Sequence, residues 1–332
     1  MDPVIDGEAK KLWLAERRTA ITATDAGAIL GVSKFATPLD VFLEKTGQGV
    51  DIVQTERMEA GNRMQRPIID WWADRNEVAV VHEAPWTFRK SPHVPRVGAS
   101  LDATRADDNC PIDAKNIGWK KAEWGDEGTD KIPLTYAVQL AIQMHVLDAP
   151  RAFLPVLFGG NELVGYVMER DRDLEAAILT KCVDFWETYV ATGTTPPVDG
   201  SASWDDYLKR KFTTNTEVML HGTPELHEAA AAYSVAIENV AVATSEVERL
   251  QNVLKLAIGE NAGVEGPGWK ATWRASKGTI GVNYEQTAKD LALQLAARTG
   301  EPATRLLAEA AAKNEGVTRK GSRRFLFSYR SK

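Results

Sequence analysis

The chain has 332 residues, 44% hydrophobic and 26% charged, the balance of a folded protein with room for one large domain or a domain of about 200 residues and a smaller appendage. Its net charge of −6 excludes a generally basic nucleic-acid coat, although the sign is uneven: residues 1–200 carry 22 Lys/Arg against 31 Asp/Glu, and residues 201–332 carry 18 against 15. No apolar run approaches the roughly 20 residues of a membrane span, and the acidic start lacks the pattern of a secretory signal, so a cytoplasmic protein is expected.

In chain order, a helix is predicted over Glu8–Arg18, then a second that opens at Thr24 or Asp25, both good N-cap types, and ends at Gly31. A third runs from Leu39 to Thr46. The spacing of Met58, Met64, Ile68, Ile69 and Trp72 predicts a long amphipathic helix over 56–76, with Trp71 and Trp72 read as core. Val78–Val81 and Pro85–Arg89 read as strands. Two more strands, Arg96–Thr104 and Pro111–Asn116, are joined by the polar turn Ala106–Asn109 as a hairpin. Thr135–Leu147 is a helix. Ala152–Phe158 and Leu163–Glu169 form a hairpin around Gly159-Gly160-Asn161, and Asp173–Thr192 is helical.

The segment Gly193–Gly200, with Pro196 and Pro197, is the expected boundary, giving a core over 1–199 and an extension over 200–332. In the extension, Pro224–Ile258 is a long helix with a heptad-like seam through Leu226, Tyr233, Val240, Val247 and Leu254, a pattern that favours packing against another helix. Trp269–Arg274 and Arg323–Arg330 alternate as strands and could pair. Two short helices are expected between them, near Tyr284–Arg298 and Ala303–Asn314.

The residues that carry chemistry are Asp102 and the triplet Asp113-Ala114-Lys115. Side chains alternate along a strand, so Asp113 and Lys115 share a face, and Asp102 on the neighbouring strand reaches the same point. Two carboxylates suit a hard ion such as magnesium or manganese, which activates water and neutralises charge on a phosphodiester. The lysine either handles the attacking water or stabilises the transition state. Cys110 and Cys182 have no CxxC or Cys/His pairing, and the five histidines lack metal-site spacing, so neither disulfides nor zinc are supported. No P-loop or G-x-S-x-G is present.

The order of motifs resembles the PD-(D/E)XK nucleases, and in particular their lambda-exonuclease and YqaJ-type viral recombinase branch. Arg17 to Asp25 is similar to that branch's R-x-x-x-I-T-A-S-E, with Thr24 in place of Ser. Gly61 and Gln65 are similar to its G-x-x-x-E, Ser100–Asp102 to its S-P-D, Asp113–Lys115 to its E-x-K, Tyr136 and Gln139 to its Y-x-x-Q, and Glu169–Asp171 to its E-R-D.

The resemblance implies an α/β fold with a restriction-endonuclease-like core, a central mixed sheet flanked by helices, here followed by a long-helix and short-strand extension. It implies a magnesium-dependent exonuclease, with manganese able to substitute, that works 5′ to 3′ on linear duplex ends. Its partners would be DNA ends and a single-strand annealing protein, in a ring-shaped homo-oligomer of phage or prophage origin.

Asp102, Asp113 and the carbonyl of Ala114 are then the metal ligands, with Lys115 and Gln139 completing the catalytic set. Gln139 would steady the active-site strand or the DNA backbone. Arg17 and Thr24 would hold a terminal phosphate, and Tyr136, Lys120 and Lys121 would line the substrate path with Trp119 and Trp124. The basic tail, from Arg319 to Lys332, is a further candidate DNA contact.

Gln65 departs from the pattern, because an amide binds divalent ions less well than the usual Glu. Neither Glu59 nor Asp70 shares its helix face. That departure keeps two rivals in view: an endonuclease on the same core, and a catalytically impaired DNA-end-binding scaffold.

Overall fold

A computed structural model describes residues 3–50, 54–119, 122–275, 291, 293–297, 302, 304 and 323–329. The chain divides into two compact units, Met1–Thr216 and Glu217–Lys332. The first comprises α1 (Pro3–Arg18), β1 (Ile21–Thr22), α2 (Ala23–Ile29), α3 (Pro38–Lys45), α4 (Glu56–Asn76), β2 (Val80–His82), β3 (Arg89–Lys90), β4 (Val97–Ala99) and β5 (Ala103–Arg105). It continues with β6 (Pro111–Ile112), β7 (Lys115–Ile117), α5 (Leu134–Leu147), β8 (Arg151–Phe158), β9 (Glu162–Glu169), α6 (Arg172–Phe185) with a terminal π-helical turn (Trp186–Val190), and α7 (Ala202–Lys211).

Local chemistry sets the helix starts. Thr22, two residues ahead of the expected cap, accepts from Asp25 N and forms a reciprocal capping box with Asp25. Thr37 and Asp40 repeat the device at α3, with Pro38 at the first helical position. Asp25 also forms a 2.7 Å ion pair with the fully buried Lys45, whose Nζ donates to the Arg17 carbonyl at 3.1 Å. This pair ties the end of α1 to the start of α2 and the end of α3.

The central sheet is mixed. β2, β5 and β6 run antiparallel in turn, β6 and β7 both lie parallel to β8, and β9 closes the sheet antiparallel to β8. Ile112 aligns with Phe153 and Lys115 with Val156, the same register, so β6 and β7 are one strand whose ladder breaks at Asp113-Ala114. The period-2 alternation of β8 separates the core into two layers. Ala152, Leu154, Val156 and Phe158 pack with residues of α2, α3, α5 and α6. Phe153 and Leu157 pack with Ile68, Ile69 and Trp72 of α4. Trp71, expected in the core, is 46% exposed.

The expected strand Arg96–Thr104 is instead two strands in two sheets. β4 lies between β1 and β3 in a small three-stranded sheet, β5 belongs to the central one, and Ser100–Asp102 forms the crossing between them. Both breaks in strand continuity therefore fall at the candidate carboxylates. The expected boundary at Gly193–Gly200 also shifts: α7 belongs to the first unit, with Trp204 buried in its core and Ser203 donating to Asp40 at 2.8 Å.

The second unit holds α8 (Pro224–Ile258), with the bounds its seam predicts, and β10 (Gly263–Gly266), β11 (Trp269–Ala275) and β12 (Arg323–Tyr329). They form an antiparallel sheet in the order β10–β11–β12, with Trp269 aligned to Tyr329. Most of the two expected short helices, and Arg319, Lys320, Arg330 and Lys332 of the basic tail, lie outside the described residues.

Candidate active site

The register of the β5–β6 pair, Ala103 with Ile112 and Thr104 with Pro111, carried one step further sets Asp102 opposite Asp113. The ladder stops there because Ala114 N donates to the Asp102 carboxylate at 2.9 Å, while Asp113 N donates to the Phe153 carbonyl at 3.0 Å. Asp102 thus lies against the strand that carries Asp113. Lys115 Nζ is in ion-pair contact with Asp113 Oδ2 and lies 5.4 Å from the Tyr136 ring centroid. Alternation along the strand puts Asp113 and Lys115 on the α5 face, as the D-x-K spacing requires.

Helix α5 supplies the next set of contacts. Gln139 Nε2 donates to Asp113 Oδ1 at 2.7 Å, and Gln143 Nε2 donates to the same oxygen at 2.9 Å. Gln143 was not singled out from the sequence. The signal was its position one turn beyond Gln139, which puts both amides on one helix face. Gln65, on α4, lies close enough to Asp102 for its amide to pull that carboxyl's pKa down, whereas Glu59 pairs with Arg63 and Asp70 with His82. The departure from the family pattern therefore sits within the carboxylate cluster.

The electrostatics are those of two acids sharing one cation. Burial, with the Asp113 charge second, pushes the Asp102 carboxyl up to about 7, against the opposing pull of Lys115, the Ala114 N–H and Gln65. For Lys115, burial works against the charge, but Asp113 and Asp102 outweigh it and its pKa is raised. Tyr136 is raised chiefly by burial. A buried and a half-buried carboxylate beside one ammonium have an excess of negative charge that a divalent cation would relieve, so the donor set fits a hard metal ion. Among the described residues there is no group of three or more His, Cys, Asp or Glu that could hold a metal ion.

Arg17 reaches the edge of this site indirectly. Its guanidinium lies 4.5 Å from the Trp13 ring centroid, and Trp13 Nε1 donates to Ser100 Oγ at 3.0 Å, two residues from Asp102. Trp13 is a second residue that sequence reasoning missed. Thr24 is exposed in the first turn of α2, its hydroxyl 3.0 Å from that of Thr22. Helix α2 packs closely on α5, since a methyl group at Gly27 would lie 3.2 Å from Thr135 Oγ1.

The two tryptophans expected along the substrate path have different fates. Trp119 is 83% exposed beyond β7, whereas Trp124 is core, packed against Phe158 and Tyr166. Lys120 and Lys121 lie outside the described residues. Cys110 and Cys182 are unpaired and buried, and burial pushes their thiols up to about 11 and about 12, which leaves them inert. Among the described residues no helix is long and apolar enough to cross a membrane.

Residues 12–150 match the model of the YqaJ-like viral recombinase domain. The YqaJ protein of Bacillus subtilis (strain 168) is 29% identical over 248 residues, covering 73% of this chain and 76% of that protein. The resemblance read from the motifs is thereby borne out. Among solved structures, an alkaline exonuclease from Laribacter hongkongensis aligns over 60% of this chain and 97% of its own, with a TM-score of 0.44 and 16% identity. A phage-related exonuclease from Haemophilus somnus 129PT aligns over 52% and 96%, with a TM-score of 0.40 and 11% identity.

Proposed function

Given that residues 12–150 match the YqaJ-like viral recombinase domain, we propose that the protein is a metal-dependent deoxyribonuclease of phage-type recombination. It would digest one strand from the ends of linear duplex DNA, 5′ to 3′, and expose single strand for an annealing partner. The observation that carries this reading is the meeting of Asp102 and Asp113, from adjoining segments of one sheet, beside the Lys115 ammonium.

Magnesium, with manganese as a substitute, held by Asp102, Asp113 and the Ala114 carbonyl, would supply Lewis acidity and an acidified water. Lys115, its pKa raised by the two acids, stays an ammonium at neutral pH. Its part is then to stabilise charge developing on the phosphate rather than to take a proton. Gln139 holds Asp113 in place from α5. Tyr136, against Lys115, walls the site on that side. Arg17 and Thr24 are assigned to a terminal phosphate, by a charge-assisted contact and a hydroxyl respectively. Lys120 and Lys121 are assigned to the DNA backbone. A ring of identical subunits would keep the enzyme on its strand, in the cytoplasm of a bacterial host.

A second reading, an end-binding scaffold with impaired catalysis, is favoured by one observation: the α4 side chain that bears on the Asp102 carboxyl is the amide of Gln65 rather than a carboxylate. A gel of linear and covalently closed duplex, with and without magnesium or manganese, separates the possibilities. The exonuclease reading expects metal-dependent loss of the linear form with the closed circle intact. Cutting of the circle would indicate an endonuclease, and a mobility shift with no nucleotide release in either metal would indicate the scaffold.

A further inference from the structure

We propose that Gln143 is a positioning residue that fixes the orientation of the Asp113 carboxylate and so sets the affinity of the site for its divalent ion. The proposal rests on the metal-site reading above and adds a residue that lies behind the ligand. Asp113 is 2% exposed, and its Oδ1 accepts two amide bonds from α5, at 2.7 Å from Gln139 and 2.9 Å from Gln143. With both donors on one oxygen, the carboxylate plane is fixed and Oδ2 is turned toward Lys115.

The two glutamines are not equivalent. Gln139 is half-buried, with a solvent-facing side to which it can swing, whereas Gln143 is 0% exposed and has no such alternative. The Gln143 amide orientation is forced: turned over, its Oε1 would face an acceptor oxygen. In the orientation present, Oε1 is buried with no hydrogen-bond partner among the described residues. Its neighbours Leu140, Ile142, Met144 and Val146 are all buried apolar residues. An apolar side chain at 143 would remove that unpartnered Oε1 while Gln139 kept one donor on Asp113 Oδ1, so satisfying Oδ1 does not by itself require a second glutamine. A locally unfavourable group aimed at a candidate ligand is what a functional constraint leaves behind.

Manganese titration calorimetry on the full chain tests this, with Gln143→Met, which keeps length but removes the donor, and Gln143→Asn, which keeps the amide but shortens its reach. Ile178→Ala, in the core of α6, serves as a destabilised control. Wild type should bind manganese, and both Gln143 variants should bind about 10- to 100-fold more weakly, as expected when an outer partner of a ligand is lost. The Met variant should fold and melt above Ile178→Ala. Ile178→Ala should melt lower with its affinity unchanged.

Wild-type affinity in either folded Gln143 variant would overturn the proposal. So would an equal loss of affinity in Ile178→Ala, or failure of both Gln143 variants to fold, since either makes the role purely structural. Absence of manganese binding by wild type would remove the metal-site reading itself, a result distinct from all of these.

Discussion

Asp102 carries a conflict that can be measured without substrate. Its carboxyl is raised from 3.8 to about 7 in the folded chain, so between those values the folded state holds a proton that the unfolded state releases. Stability contributed at this position is therefore present at low pH and is lost as pH rises through about 7, on the order of 4 kcal/mol if the full shift is expressed. In chelator, Asp102→Asn should match wild type near pH 4 and be the more stable protein at pH 8. Denaturant melts at the two pH values check this, and a difference that does not change with pH would show that Asp102 is not under strain. Gln65→Glu works in the opposite sense, adding a third carboxylate where the amide meets Asp102. It should raise manganese affinity on the order of tenfold, because ligand charge governs affinity at such sites. Unchanged affinity in calorimetry would place that side chain outside the metal's reach. The candidate site residues were legible in the sequence because an Asp and a D-x-K on adjoining strands have one simple geometry. Gln143 and Trp13 were not, since an amide in an apolar helix and an indole on an amphipathic one look like packing until their partners are known.

At the scale of elements, placement of the site depends on close approach between layers. Gly165 of β9 faces Trp72 of α4, and a methyl group there would lie 2.7 Å from the indole Nε1 and 3.1 Å from Cδ1. Gly165→Ala should displace α4, the helix that delivers Gln65, and cost about 1–3 kcal/mol as overpacking does. A thermal midpoint equal to wild type would show that α4 is held elsewhere. Helix periodicity predicted α4, α5 and α8 well, because each presents an apolar or amphipathic pattern over more than three turns. The strands around the site were predicted as continuous, and they are not. Periodicity registers alternation but cannot register that a side chain, Asp102, takes the Ala114 N–H from the ladder and ends it. The cap of α2 was placed at Thr24 or Asp25 for a related reason. Three candidate residues lie in succession at 22, 24 and 25, and only the reciprocal bonds of Thr22 and Asp25 decide among them.

The whole molecule divides later than its Pro/Gly-rich segment suggests. Truncation to residues 1–199 removes Trp204, which is 5% exposed in the core, whereas truncation to 1–216 keeps it. The shorter form should therefore be less stable by about 3–5 kcal/mol, the usual cost of losing a buried aromatic side chain. Equal denaturation midpoints for the two would restore the boundary near Gly200. The proline pair was legible as a break in regular structure, but nothing in the linear pattern shows that the chain returns to cover α3 after it. In the second unit the seam of α8 remains exposed among the described residues, with Leu226, Tyr233, Val240 and Val247 each at least 60% accessible. The heptad pattern predicted the helix but did not identify its partner.

The central claim is that Asp102, Asp113 and Lys115 form a single metal-dependent hydrolytic site. Release of nucleotides from end-labelled linear duplex in magnesium, by wild type and by folded Asp113→Ala and Lys115→Ala, tests it most directly. Wild type should release nucleotides only with metal, and both variants should lose that release while keeping the wild-type circular dichroism spectrum. Digestion by either variant at the wild-type rate would contradict the account.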